Sequence, residues 1–461
     1  MQLPDQLLES LKNVKGFDKE AFEKVHASGE QITSIRINPF KLSESPQVPS
    51  FGGDLGEAVP WTKYGYYLNQ RPSFTFDPFF HAGCYYVQEA SSMFLEQALK
   101  QTVDLSQALK VLDLSAAPGG KSTHIQSLIS KDSLLVSNEV IRSRANILKD
   151  NIIKWGCNNV VVTNNDPKDF ARLKNYFDII IVDAPCSGSG LFRREPEAMK
   201  EWNLNNVAFC SQRQQRILAD VWPALKKEGV LIYSTCSYSK EEDEEIVHWL
   251  QNELTIANCQ LAVNDSWSIV ESGSGYRFWP DKLKGEGFFI ACFRKTNGEE
   301  ESFFKTKKKP EQLNKKEKDI VEKWIKTGGL EFIKHQDTVY VWPFNAVTDF
   351  NILLNNLRVI YSGTIVGELM RDKLVPHHAF AMSGLVNETI PTAELNYEQA
   401  IQYLQKKDLK LQRVNTGWQS VTFRGHELGW VNVLPGRINN YYPKELRILK
   451  ESPSSEREYE V

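Results

Sequence analysis

Two short loops carry cysteines in settings where a thiol could do chemistry. Asp183-Ala184-Pro185-Cys186-Ser187-Gly188 follows the apolar run Ile179-Ile180-Ile181-Val182, and Ser234-Thr235-Cys236-Ser237-Tyr238 follows Leu231-Ile232-Tyr233. Short β-branched and aromatic runs that end in turn residues read as buried strands. Both thiols therefore fall at strand ends, where the loops of a parallel sheet gather around ligands. A thiolate there is a candidate nucleophile, and Asp183, between a buried strand and a proline, is placed to give a hydrogen bond or proton if burial raises its pKa. Cys84, Cys157, Cys210, Cys259 and Cys292 read as small buried hydrophobes.

A third loop indicates what the thiols would work with. Asp113-Leu114-Ser115-Ala116-Ala117-Pro118-Gly119-Gly120-Lys121 leaves a strand, permits close backbone approach at its glycines and opens a helix at Lys121-Ser122-Thr123. Glu139 ends the next strand about 20 residues later, where nucleotide-binding sheets place an acid for ribose hydroxyls. The spacing is neither Walker A nor GxGxxG, so an adenosine-type cofactor is favoured over phosphate binding. Thiols beside such a cofactor suit methylation at carbon 5 of cytosine, a poor nucleophile until a thiolate adds to carbon 6. The residues alone do not order Cys186 and Cys236.

The elements that must hold these loops follow a regular pattern. Strands are expected at Lys110 to Leu114, Leu134 to Asn138, Val160 to Thr163, Phe177 to Val182, Val230 to Ser234 and Phe288 to Phe293. Helices are expected near Lys121 to Ile129, Ile141 to Trp155 and Ser211 to Lys227. Alternating strands and amphipathic helices imply a parallel sheet covered on both faces. Upstream, helical spacing from Leu7 to Val25 and the alternation Ile32 to Asn38 predict a small mixed α/β module. Downstream, Lys305-Thr306-Lys307-Lys308-Lys309-Pro310 reads as an exposed linker, and Trp324, Tyr340, Trp342 and Trp430 mark a further core.

Composition narrows the class. The 461 residues, 41% hydrophobic and 25% charged, suffice for about three domains. Seven cysteines, an odd number without a CxxC pair, argue for reduced thiols and against a disulfide framework or a structural metal. No apolar run reaches the roughly 18 residues of a membrane span, and the opening Met1 to Gln6 lacks a basic segment followed by an apolar stretch, so a cytoplasmic protein without membrane contact is expected. A net charge of −3 gives no global signal for nucleic acid. The run Glu241 to Glu245 reads as a helix start, where carboxylates favour the dipole. His124 and the adjacent His377 and His378 read as structural, the pair lacking the spacing of a helical metal site.

Asp113 to Thr123, Asp183 to Gly190 and Ser234 to Ser239, in that order, resemble the signature of the RNA (cytosine-5) methyltransferases of the RsmB/RsmF group, which includes the eukaryotic Nop/Sun enzymes. His81 to Ser92, Phe192 to Glu197 and Gly285 to Phe289 resemble the RsmF branch most, and Gly429-Trp430 with Arg437 to Lys444 look like its PUA-like end. Ser115 departs from the cysteine or methionine common in relatives. The resemblance implies a Rossmann-like S-adenosylmethionine-dependent methyltransferase sheet at 105–296, an N-terminal α/β RNA-binding module at 1–104, a linker at 297–316, an intermediate C-terminal domain at 317–387 and a PUA-like RNA-binding region at 388–461. It further implies that Ser115, Ala116, Ala117, Pro118, Gly119, Gly120 and Lys121 wrap S-adenosylmethionine, Glu139 binds its ribose, Asp166 approaches the adenine and Asp183 borders cofactor and base. Cys236 would be the nucleophile and Cys186 would assist product release. Arg36, Arg193 and Arg194 are candidate RNA contacts. The expected substrate is small-subunit ribosomal RNA, with tRNA and a non-catalytic role in ribosome assembly as alternatives. The expected working unit is a monomer.

Overall fold

The computed structural model describes residues 3–42, 55–298, 304, 306, 309–326, 328–411 and 415–451. Of the expected linker, residues 299–303, 305, 307 and 308 lie outside the described residues.

The β-branched runs form one large sheet. Its parallel strands are β1 (Lys110–Asp113), β2 (Leu134–Asn138), β3 (Val160–Thr163), β4 (Phe177–Asp183) and β5 (Leu225–Thr235), followed by β6 (Gly275–Phe278), β7 (Phe288–Lys295) and, far downstream, β8 (Val359–Ser362). They lie side by side in the order β6-β7-β5-β4-β1-β2-β3-β8. β7 runs antiparallel to β5, and β8 runs antiparallel to β3. β2 and β3 are buried along their whole length because apolar clusters cover both faces of the sheet. The order reverses between β1 and β4, so the loops after these strands open onto a common crevice at the carboxyl-end rim.

The covering helices include α1 (Gly120–Gln126), α2 (Arg142–Trp155), α3 (Leu204–Val221) and α4 (Glu244–Glu253). α2 ends at Gly156, whose φ of +97° suits glycine at a C-terminal cap. α3 starts and stops earlier than the apolar spacing predicts. Asn203 caps its start by accepting from the Asn206 amide, and Pro223 cannot continue a helix, so the chain enters β5 at Leu225. The helical stretch near the N-terminus divides into Asp5–Leu11 and Lys19–Ala27 around Gly16. Gly16 has φ +85°, and a Cβ there would lie 2.9 Å from Trp279 and Val270. These two helices pack on Phe192, Trp202, Tyr238 and Trp279, behind the second cysteine loop.

The flanking regions are joined to the sheet and to each other. A four-stranded antiparallel sheet holds Leu55–Ala58, Gly65–Leu68, Ser34–Ile37 and Tyr85–Val87 in spatial order. A five-stranded sheet spans Glu311 to Pro376, and the last sheet holds Thr392–Leu395, Gly417–Phe423, His426–Leu434 and Arg437–Asn440. Ile35, Phe79 and Tyr85 of the N-terminal module share one apolar core with Leu395, Val421 and Val431 of the C-terminal sheet. The region after Lys316 is thus no detachable appendage: it supplies the edge strand β8 and one side of this seam. Within the expected linker, Phe304 packs edge-on against Tyr176 at 5.4 Å.

Candidate active site

The loop from Ser115 to Lys121 is fixed from three sides. Ala116 donates its amide to the Asn138 carbonyl at the end of β2 (2.8 Å), Arg144 donates to the Ala117 carbonyl (3.0 Å) and Asn151 to the Pro118 carbonyl (2.8 Å). Gly119 has φ +116° and begins α1, and a Cβ there would press on Leu148 and Asn151 at 3.3–3.4 Å. A Cβ on Gly120 would sit 3.3 Å from Tyr86. Ser115 and Gly120 are half-buried, Ala116, Ala117 and Gly119 are buried, and Pro118 is exposed.

At the ends of the neighbouring strands, Glu139 is buried with its carboxylate accepting from the Ile141 amide (2.9 Å) and facing Arg144 at 3.5 Å. Asp166 is half-buried and caps the turn Pro167–Arg172 by accepting from the Lys168 amide at 3.2 Å. Asp113, at the end of β1, is fully buried; Ser122 donates to its Oδ2 (2.6 Å) while its Oδ1 has no partner. Burial pushes its carboxyl up to about 7, with the Asp183 charge acting in the same direction. A glycine cradle and a buried carboxylate at the end of the adjacent strand suit a ligand that carries a ribose and little negative charge.

The thiols meet beside this cradle. The β4–β5 register pairs Asp183 with Ser234, which brings the following loops together and places Cys186 Sγ 3.1 Å from Cys236 Sγ. Both are free, half-buried thiols. The hydrogen bond to Cys236, then burial, raises the Cys186 thiol well above its usual range. Asp183 accepts from Ser234 Oγ at 2.8 Å and forms an ion pair with Lys121 Nζ at 2.8 Å. Burial pulls on the Lys121 ammonium, but the Asp183 charge and hydrogen bond outweigh it and the lysine stays protonated. One rim thus holds a thiol pair, a carboxylate and an ammonium beside the glycine cradle.

Residues 100–294 match the family of 16S rRNA methyltransferase RsmB/F, residues 3–90 the N-terminal domain of 16S rRNA methyltransferase RsmF, and residues 391–448 the methyltransferase RsmF PUA domain. A relative named ribosomal RNA small subunit methyltransferase F, from Aeromonas salmonicida (strain A449), is 30% identical over 440 residues, 90% of each chain. The chain belongs to the RsmB/F methyltransferase family. A protein of the same name from Vibrio parahaemolyticus serotype O3:K6 is 28% identical, with 96% of this chain and 97% of the relative covered. Among solved structures, a methyltransferase homolog protein from Pyrococcus horikoshii superposes with a TM-score of 0.52 and 26% identity over 64% of this chain and all of its own. Members of the RsmB/F family are enzymes that use S-adenosylmethionine, and the cradle described above fits that cofactor.

In this RsmB/F chain, two of the three arginines singled out as RNA contacts turn inward. Arg36 is fully buried and donates to Gln88 Oε1 (2.8 Å), Ser127 Oγ (3.0 Å) and Thr123 Oγ1 (2.6 Å), bracing the back of α1. Arg193 is buried and donates to the carbonyls of Gly285 (3.3 Å) and Glu30 (3.0 Å), with Glu286 at 3.9 Å. Their donors serve the protein and are withheld from phosphate. Arg194 stays exposed beside Glu195.

The acidic run starts a helix as its sequence predicts, with Glu244 and Glu245 in the first turn of α4, but the residues just before it turn inward. Glu242 and Asp243 are fully buried next to the cysteine loops, and only Glu245 of the five is exposed. Thr235 donates to Asp243 at 2.5 Å, and the buried Arg277 lies 3.1 Å from Asp243 and 2.5 Å from Glu244. An arginine on a core strand, Gly275–Phe278, was the available sequence signal that some of these acids point inward. His124 is buried against Glu96 at 3.2 Å, and His377 caps the helix His378–Met382 by accepting from the Ala379 amide at 3.0 Å. Among the described residues, no helix is long and apolar enough to cross a membrane.

Proposed function

We propose that the protein methylates carbon 5 of a cytosine in 16S ribosomal RNA, with Cys236 as nucleophile, Cys186 as the residue that releases product and Asp183, paired with the Lys121 ammonium, as the carboxylate that borders the base and relays its proton. The observation that carries the reading is the 3.1 Å thiol pair beside the Lys121–Asp183 ion pair at the mouth of the glycine cradle.

The target base must leave its stack to reach this rim. Cys236 forms a bond from Sγ to carbon 6, and the displaced electron pair makes carbon 5 nucleophilic. The proton needed at nitrogen 3 is at hand in the pair of Lys121 and Asp183, joined at 2.8 Å. Ser115 to Lys121 and Glu139 would hold S-adenosylmethionine, which supplies the electrophilic methyl group. Once Cys236 is a thioether it no longer shares a proton with Cys186, so the main influence holding the Cys186 thiol up is removed. Cys186, its own proton released to solvent, can then take the carbon 5 proton as a thiolate while the carbon 6–sulfur bond breaks with the electron pair leaving on Cys236, carbon 5–carbon 6 unsaturation returns and nitrogen 3 gives its proton back to the Lys121–Asp183 pair. Arg194, exposed at the start of the adjoining loop, is the remaining arginine candidate for phosphate. The reading carries a cytoplasmic location and a single chain as working unit, since the chain itself supplies every group invoked.

The two thiols are separable in an adduct assay. With 16S rRNA and S-adenosylmethionine, Cys186→Ala is expected to accumulate a gel-stable protein–RNA adduct and Cys236→Ala to give none, with methylation lost in both. An adduct in Cys236→Ala instead would exchange the two roles. Bisulfite sequencing of ribosomal and transfer RNA from a deletion strain reads the substrate: a cytosine lost from 16S rRNA supports the proposal, and one lost only from tRNA overturns the substrate.

A further inference from the structure

Glu242 takes no part in the steps above, yet it is fully buried directly behind both thiols. It ends the turn Lys240–Glu242 that follows the second cysteine loop. Its Oε1 accepts from the Ser187 amide (2.8 Å) and Gln214 Nε2 (3.2 Å); its Oε2 accepts from Ser187 Oγ (2.5 Å) and Ser237 Oγ (2.7 Å). Ser187 follows Cys186 and Ser237 follows Cys236 in the chain. One carboxylate therefore bonds the residue next to each thiol, across loops 50 residues apart in sequence. Tyr233 closes the back of the site, its single hydroxyl proton within reach of the Glu242 carbonyl (2.7 Å) and Gln214 Oε1 (3.0 Å).

From this geometry we infer that Glu242 is a positioning residue that ties the two cysteine loops together and sets its carboxylate behind the Cys186 thiol. This inference rests on the proposed roles of the thiols. Beyond Asp183 and Ser234 the loops are joined by the Ala184 amide on the Ser234 carbonyl (2.8 Å) and the Gly190 amide on the Cys236 carbonyl (2.9 Å); Glu242 adds a side-chain tie at the residues next to the two sulfurs, which lie 3.1 Å apart. The Ser187 amide and the Gln214 amide are obligate donors on Oε1, which leaves Oε2 to gather the two hydroxyls. Burial raises the Glu242 carboxyl, and its four donors oppose that rise. The groups that act on Cys186 are Cys236, Glu242, the Gly188 amide and Tyr233; those around Glu242 include Cys186, Cys210, Tyr233 and Asp243. The charge on Glu242 adds to the influences that keep Cys186 protonated.

Two variants separate holding from folding. Glu242→Gln keeps the shape and an acceptor for the Ser187 amide while its amide turns to the hydroxyls, so it removes charge more than architecture. The full-length protein is alkylated with iodoacetamide at a series of pH values, and Cys186 and Cys236 are read separately by mass spectrometry. In Glu242→Gln, Cys186 is expected to react about three- to tenfold faster at neutral pH, its rate profile moving to lower pH, with melting temperature and S-adenosylmethionine affinity retained. Glu242→Ala is expected to lower single-turnover methylation of 16S rRNA by about 100-fold, the scale of a misplaced reacting group. Unchanged Cys186 alkylation in Glu242→Gln overturns the charge role, and wild-type turnover in a folded Glu242→Ala overturns the tie. If Glu242→Ala does not fold, Glu242→Gln still decides. The alkylation uses no RNA, so a wild-type protein that fails to methylate 16S rRNA counts against the proposed function and not against this inference.

Discussion

At the carboxyl-end rim of the main sheet, burial falls chiefly on acids; at the seam between the N-terminal module and the C-terminal sheet, it falls chiefly on histidines. The rim holds Asp113, Glu242, Asp243 and Glu286, all raised by burial, against His26 and His124, both lowered to about 4 by burial. The seam holds His81 and His377, lowered by burial to about 4, His378, lowered to about 3, and His426, also lowered, against Asp77 alone, raised to about 6. The rim keeps charge next to its thiols through Lys121, Asp183 and Arg277, whereas the seam buries neutral rings among aliphatic and aromatic side chains. Chemistry is concentrated where buried charges are paired, and cohesion where buried rings are neutral.

That contrast can be broken most forcefully at the seam. Phe79 is buried, with its ring 5.2 Å from Phe423 and 5.6 Å from His426. Phe79→Ala is expected to cost about 3–5 kcal/mol of stability in denaturant unfolding. Methylation per folded molecule should be unaltered, and a fall in it would mean that the seam also shapes the rim. Asp183→Asn is the reverse experiment. It keeps the size of the side chain and removes the carboxylate paired with Lys121, so the single-turnover rate is expected to fall by about 100-fold or more, with the melting temperature nearly unchanged. Acid should sharpen the comparison by a smaller margin. A histidine whose folded pKa is depressed binds its proton more readily when unfolded, so its contribution to stability is lost as pH falls through about 6.5 to 4; an acid raised to about 7, such as Asp113 or Glu286, becomes less unfavourable over the same range. Hydrogen exchange at pH 5 is therefore expected to rise first in residues 392–440 and the N-terminal module, ahead of β1, β4 and β5. Earlier opening at the rim would refute that order.

The same contrast separates what the sequence could disclose from what it could not. β2 and β3 were legible to the residue because strands buried on both faces are written as unbroken apolar runs. The glycine loop and the two cysteines were legible because each motif is local. Arg36 and Arg193 were misread because their partners lie 52 to 163 residues away, and an arginine looks the same in sequence whether it faces solvent or a buried glutamine. Glu242 was hidden for a related reason. Five consecutive acids have the composition of a solvated helix start, and only the meeting of Ser187 with Ser237 makes the second of them an interior ligand of two loops. β8 escaped notice because an edge strand of four residues, two of them only half-buried, has little apolar pattern to display.

The pairing of β8 with β3 also has a consequence for how the chain is made. Val161, Val162 and Thr163 emerge from the ribosome about 200 residues before Ser362, Tyr361 and Val359, their partners, exist. At synthesis rates of roughly 5–20 residues per second, that is about 10–40 s in which a valine-rich strand edge stands open beside a nearly finished sheet. An open apolar edge is a template for mispairing with another nascent chain. The interval makes β3 the expected point of vulnerability during translation, and a place where slowed elongation between residues 163 and 359 would lower the yield of folded enzyme without altering a single native contact.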